Sequence, residues 1–308
     1  KLFSGITRYN YLLCKAIVAV IVMFWNFMII RHWTLADYTL PYLPSLEDYG
    51  KEKKCFLSVV IPAFNERDRL PQTLDDVFKW LESKSFDYEV LVINDGSTDG
   101  MVLRLKEEFK HKPGFKIWSL PQNMGKGAAV KEGMLLAGGE YRLFMDADNQ
   151  IRIHELDSFL KKADPRRVII GSKYAASGSQ KDEIASSRVF VSRLGNLIIK
   201  LLLGLEIADT QCGFKLFPAQ IAESVFRMQR LKRFAFDVEI LSLVQLFNME
   251  IMELPIKLYP ASESRVRTLR DSLSVFSDLL VIKLNIWRRR YGLPDPHRGA
   301  SGLNLNRD

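Results

Sequence analysis

Five short, largely apolar runs, 57–62, 89–94, 116–120, 141–145 and 168–171, each stop at a polar loop, and stretches of helical periodicity at 67–84, 99–111, 126–138 and 154–163 separate them. Continuously apolar strands joined by helices, rather than alternating strands joined by tight turns, indicate a parallel sheet covered on both faces. The pattern predicts a doubly wound, Rossmann-like, mostly parallel α/β sheet. In such a sheet the chemistry belongs to the loops at the strand C-termini. After residue 171 the pattern loosens. Helices are expected over 184–204, 218–228 and 236–247, a strand near 251–258, a basic amphipathic helix over 271–290, and a flexible tail over 293–308.

The strand-end loops are unusual. Asp146-Ala147-Asp148-Asn149-Gln150 sets two carboxylates and an amide at alternate positions just past the run 141–145. Oxygen donors of this kind suit Mg²⁺ or Mn²⁺, hard cations that keep coordination positions open for substrate phosphates. An isolated Asp-x-Asp also describes a solvated turn capping the next helix. In Asn94-Asp95-Gly96-Ser97-Thr98-Asp99, Asp95 can accept hydrogen bonds from a base or ribose, while Ser97, Thr98 or Asp99 would serve as a helix N-cap. Asn123-Met124-Gly125-Lys126-Gly127 is glycine-rich at a helix start and suits an anion. It lacks the glycine and hydroxyl spacing of a Walker A loop.

Charge narrows the ligands. The chain carries a formal net charge of +8 over 308 residues, with basic residues crowded in 161–173, 227–233 and 265–290. That balance favours an anionic partner, and with no nucleic-acid motif present the partners are phosphorylated small molecules and lipid headgroups, not nucleic acid. Cys14, Cys55 and Cys212 are scattered, and the four histidines lack zinc-ligand spacing, which argues against a disulfide framework and a structural zinc.

The N-terminus differs from the rest. Residues 16–30 contain no charge, and 11–30 make a twenty-residue, largely apolar stretch whose one charge is Lys15. As a helix it just crosses a hydrocarbon core of ~30 Å, with Lys15 snorkelling to the interface. Residues 1–33 are therefore expected to form a membrane anchor, with an interfacial or a buried globular helix as alternatives. Residues 34–55 read as a linker, 56–292 as the α/β domain. Flanking charges are too evenly matched to set an orientation.

Together, Ile61-Pro62-Ala63-Phe64-Asn65-Glu66 and the three loops above resemble those of family 2 inverting glycosyltransferases of the GT-A fold, over about residues 57–293. Asp209-Thr210-Gln211-Cys212-Gly213-Phe214-Lys215-Leu216-Phe217 and Phe236-Asp237-Val238-Glu239 resemble the dolichyl-phosphate β-glucosyltransferases, siblings of the dolichyl-phosphate mannose synthases. The resemblance implies transfer of a hexose, glucose from UDP-glucose, to a dolichyl or other polyprenyl phosphate with inversion. Mannosyl or other hexosyl transfer, and an inactive nucleotide-sugar-binding membrane protein, are the alternatives. It also implies a membrane-anchored enzyme with its catalytic domain facing the cytoplasm, at the endoplasmic reticulum in a eukaryote or the inner or plasma membrane in a prokaryote. Homo-oligomeric assembly is compatible with it.

Residue roles follow from that resemblance. Asp146 and Asp148, with Gln150 assisting, would hold Mg²⁺ or Mn²⁺; Pro62, Phe64, Glu66, Asp95, Lys126 and Asp146 would bind the nucleotide. Lys173, Arg188 and Ser192 match acceptor-phosphate positions, with Lys173 standing where relatives carry Arg and so lacking its bidentate geometry. Gln211, Lys215 and Arg265 would contact the diphosphate or donor sugar. Asp237 and Glu239, two apart on a helix, do not share a face, so one is expected in the site: Asp237, as a catalytic carboxylate or else as an N-cap. A processive polysaccharide synthase would need a Gln-x-x-Arg-Trp motif and C-terminal membrane helices, and residues 229–234 do not supply that register.

Overall fold

The computed structural model describes residues 55–173, 199–259, 268–288 and 290–291. The expected anchor at 1–33, the linker to residue 54, the candidates Arg188, Ser192 and Arg265, and the tail 293–308 lie outside them. Among the described residues no helix is long and apolar enough to cross a membrane.

The described strands are β1 (Cys55–Ala63), β2 (Tyr88–Asn94), β3 (Phe115–Ser119), β4 (Gly139–Met145), β5 (Arg167–Ser172), β6 (Phe214–Pro218) and β7 (Glu250–Pro255). They form one sheet in the order β3-β2-β1-β4-β6-β5-β7. Parallel pairing joins β1 to β2 and β4, β2 to β3, and β5 to β7. The order turns back between β1 and β4, and loops leaving the adjoining strand ends share one crevice there.

The helices are α1 (Leu70–Leu81), α2 (Met101–Phe109), α3 (Lys126–Leu136), α4 (Leu156–Leu160), α5 (Ala219–Met228), α6 (Phe236–Leu246) and α7 (Thr268–Trp287). One face of β1, with Leu57, Val59 and Ile61, shares a core with Leu70, Leu74, Val77 and Phe78 of α1 and Leu105 of α2. On the other face the absence of a side chain at Gly133 lets α3 close on Val60 and Ile93, and Phe144 meets Phe236 of α6 edge-on. Full burial of one such Val, Ile or Phe contributes about 1.5–3 kcal/mol.

Several sequence expectations change. Strand β6 was not foreseen, and it runs antiparallel to both β4 and β5, so the sheet is mixed. Edge strand β3 is largely exposed rather than covered, with Trp118 open to solvent. The strand expected near 251–258 ends at Pro255. The helix expected over 154–163 is a 3-10 turn at Ile153–Glu155 followed by the short α4. Gly100, in the left-handed region, occupies the N-cap position of α2, while Asp99 Oδ1 accepts the Met101 N–H from one residue further out.

Candidate active site

Strand ends β1 and β2 release two loops that interlock. The Asn65 N–H donates to Ser97 Oγ at 2.9 Å, the Thr98 N–H to Asn65 Oδ1 at 2.9 Å, and the Arg67 N–H to Asp99 Oδ2 at 3.0 Å. Asn65 sits at φ 56°, a left-handed backbone that Asn tolerates better than most residues. On this platform Phe64 is exposed, Pro62 is buried at the end of β1, and the Glu66 carboxylate pairs with Arg69 Nη2 at 2.6 Å.

Asp95 is buried. Its two carboxylate oxygens accept the Met124 and Gly125 N–H groups at 2.7 and 2.9 Å. Burial raises its pKa, and those two bonds only partly offset the effect. Asp95 thus hangs the third loop from the second, a role the sequence reading did not foresee. The loop then turns at Gly125 (φ 102°), where a Cβ would lie 2.5 Å from the Lys232 carbonyl, and Lys126 opens α3.

Lys126 reaches the fourth loop, its Nζ 2.7 Å from Asp146 Oδ1. Burial opposes its charge, but the carboxylates of Asp146, Asp237 and Asp148 outweigh that and raise its pKa. Beyond Asp146, Thr73 Oγ1 of α1 donates to the Ala147 carbonyl at 2.7 Å, and Asn149, at φ 56°, donates from Nδ2 to Asp76 Oδ2 at 2.6 Å. The loop is therefore pinned to α1 on both sides of Asp148. Burial and the charge of Asp146 raise the Asp148 pKa.

Antiparallel pairing of Met145 with Phe214 sets Gly213 opposite Asp146. The Asp146 N–H donates to the Gly213 carbonyl at 3.0 Å, and a Cβ on Gly213 would fall 2.0 Å from Asp146 Oδ2. The glycine is the space in which the carboxylate lies. One pocket is lined by Asp146, Asp148, Gln150, Ile151, Lys173, Gln211, Cys212, Gly213 and Leu258. Leu258 arrives because the chain beyond β7 stays in register, with Ile256 N–H on the Ser172 carbonyl and Tyr259 N–H on the Gln150 carbonyl.

Of the remaining candidates, Lys173 and Gln211 line the pocket, and Lys215 and Asp237 are buried. Lys173 lines the pocket but turns to Asp209, Nζ to Oδ2 at 3.8 Å. Gln211 is exposed there, whereas Lys215 is buried and makes an ion pair with Asp237 and a bond to the Cys212 carbonyl at 2.5 Å. Asp237 is inside α6 and is not its N-cap, which falls at Ala235. It stands between Lys215 and Lys126; burial pushes its pKa up against both cations. Cys212 packs as a buried thiol with its pKa raised to about 12 by burial.

The donor set is all oxygen. Among the described residues no three His, Cys, Asp or Glu side chains converge; the pocket residues whose oxygens could hold a hard cation are Asp146, Asp148 and Gln150.

The glycosyl transferase family 2 profile matches residues 58–226. Dolichyl-phosphate beta-glucosyltransferases are similar over most of their length: that of Dictyostelium discoideum is 33% identical over 267 residues, 80% of each chain. The Homo sapiens relative is 32% identical over 79% of this chain and 78% of its own, and that of Saccharomyces cerevisiae 31% identical over the same shares. Glucosyl-3-phosphoglycerate synthase from Mycobacterium tuberculosis, solved with Mn²⁺ and UDP-glucose, shares the fold with a TM-score of 0.52 at 17% identity, over 79% of this chain and 81% of that one. Mannosyl-3-phosphoglycerate synthase from Rubrobacter xylanophilus does so at 0.53 and 19%, over 79% and 78%. An interlocked loop platform, a carboxylate pair at the switch point of the sheet and these relatives converge: the chain is a glycosyltransferase of family 2 and belongs to the dolichyl-phosphate β-glucosyltransferases.

Proposed function

We propose that this enzyme transfers glucose from UDP-glucose to dolichyl phosphate, inverting the anomeric centre to give the β-linked lipid phosphate sugar. The observation that carries the reading is the placement of Asp146 and Asp148 in the pocket wall with the Lys126 ammonium 2.7 Å from Asp146 Oδ1. Asp146 and Asp148 would hold Mg²⁺ or Mn²⁺ with Gln150 assisting, and the ion would neutralise the departing diphosphate as a Lewis acid. The Mn²⁺ and UDP-glucose bound to the Mycobacterium synthase of the same fold support that choice.

The chain's own groups do the rest. Lys126 and the α3 N-terminal N–H groups face the diphosphate, with Lys126 as a second positive charge beside Asp146. Pro62, Phe64 and Glu66 on the first loop form the base side, and Asp95 holds the third loop through Met124 and Gly125. The charges of Asp146 and Asp237 keep Lys126 protonated, and its bond to Asp146 orients it. The acceptor phosphate is an anion at neutral pH, so attack at the anomeric carbon needs positioning more than a strong base. Lys173 at the pocket wall supplies charge on the acceptor side, and Arg188, Ser192 and Arg265 remain assigned there and over the diphosphate by resemblance.

A lipid acceptor places the reaction at a membrane surface. On α7, Leu280, Val281, Leu284 and Trp287 are exposed beside Arg288 and Arg290, a combination that suits anionic lipid. With residues 1–33 as anchor, the catalytic domain would work from the cytoplasmic side of an endoplasmic-reticulum-type membrane. The test is transfer of label from UDP-glucose to dolichyl phosphate by the full chain. Wild-type protein should form the product and Asp148→Ala should not; equal product from both would overturn the assignment.

A further inference from the structure

Helix α6 carries a second buried carboxylate that none of this chemistry uses. Glu239 has no accessible surface, and it accepts the Arg230 N–H at 3.1 Å and the Leu231 N–H at 2.8 Å. Another donor comes from the far end of the described chain, the Tyr291 hydroxyl, 2.7 Å from Glu239 Oε1. The Arg230 guanidinium lies 5.9 Å from the Tyr291 ring centre and donates to the Arg290 carbonyl. A carboxylate this deep is costly unless its lone pairs are filled, and here Arg230, Leu231 and Tyr291 fill them.

Glu239 holds the segment 229–232, and that segment braces the start of α3. Gln229 Nε2 donates to the Gly127 carbonyl at 2.8 Å, and the Lys232 carbonyl accepts the Ala128 N–H at 3.1 Å. The same carbonyl fills the space a Cβ on Gly125 would need. Lys131 Nζ locks the segment from α3 by donating to the Gln229 carbonyl at 2.7 Å. Lys126 sits inside this frame.

We propose that Glu239 and Tyr291 are a positioning pair: they hold segment 229–232 against Gly125–Ala128 and thereby keep the Lys126 ammonium and the α3 N-terminus aimed at the donor diphosphate. The inference rests on the diphosphate-binding reading given above. Neither side chain touches substrate. The pair also bolts the donor side of the site to the end of α7, the helix with the lipid-compatible face.

Tyr291→Phe keeps the ring and removes one hydroxyl. Calorimetry on the full chain with UDP and Mn²⁺ should show roughly tenfold weaker nucleotide binding at a melting temperature within a few degrees of wild type. KM for UDP-glucose should rise while KM for dolichyl phosphate holds. In a Lys126→Gln background the same substitution should weaken UDP binding less than it does in the wild type, because one of the two contacts it positions is gone. Unchanged UDP affinity, or an equal loss in both backgrounds, would overturn the proposal. Should Tyr291→Phe fail to fold, Gln229→Met removes the Gly127 bond at the other end of the brace and reads the same cycle. A wild-type chain that binds UDP yet glucosylates no dolichyl phosphate would overturn the function proposed above and leave this cycle readable.

Discussion

Gly213 and Asp146 face each other across the junction of β4 and β6, so closely that a methyl group on Gly213 would overlap the Asp146 carboxylate, 2.0 Å from Oδ2. The atoms it would meet are all of the Asp146 carboxylate, so Gly213→Ala must rotate or displace that side chain. We expect the variant to fold with a loss of about 1–3 kcal/mol, and kcat/KM to fall on the order of 100-fold. Denaturant melts and steady-state kinetics check it; wild-type kinetics would show that the placement of Asp146 is not critical.

Lys215 and Asp237 form a buried pair whose partners cannot be removed singly. Lys215→Met strands a carboxylate in the core and should cost about 3–5 kcal/mol. Lys215→Met combined with Asp237→Leu should recover much of that in urea melts. A double variant no more stable than Lys215→Met would contradict the pairing argument.

Asp148 has its pKa raised by burial and by Asp146. A raised carboxyl penalises the fold as pH climbs from its unfolded toward its folded value, and the penalty is complete above that. Asp148→Asn removes it, so the metal-free variant should melt higher than metal-free wild type at pH 7, while losing the stabilisation that Mn²⁺ gives the wild type. Thermal melts with and without MnCl₂ decide this; an unchanged Mn²⁺ response would remove Asp148 from the metal site.

Glu89 behaves oppositely. Burial alone would raise its pKa, but bonds from Lys116, Ser58 and the Gly138 N–H outweigh that and lower it. Its contribution is present above the unfolded carboxylate range and lost as pH falls through the folded value. Glu89→Gln should cost about 1–3 kcal/mol at pH 7, and the gap should narrow as pH drops below the usual carboxylate range. A gap independent of pH would show that the ionised form is not what these donors bind.

How far the sequence carried depended on how local each signal was. Strands β1, β2 and β4 were legible because both their faces are buried, which leaves a continuous apolar run. Strand β6 was not, because Lys215 breaks its run and the partner that makes a buried lysine tolerable, Asp237, lies on another helix. The loop motifs located the site, but their mutual bonds did not show. Asp95 read as a contact to base or ribose, and it binds the Met124 and Gly125 N–H groups from 29 and 30 positions away. Glu239 stayed unassigned for the same reason, since Tyr291 lies 52 positions on. Gly213 was visible only as part of a motif until antiparallel register put it against Asp146.

The most direct measurement is transfer of radiolabelled hexose from UDP-glucose and from GDP-mannose to dolichyl phosphate by the full chain, with Mn²⁺, with EDTA, and with Asp148→Ala. Product from UDP-glucose that is β-linked, abolished by EDTA and absent with Asp148→Ala is the predicted result. Transfer that survives chelation and the substitution, or that proceeds only from GDP-mannose, would contradict it.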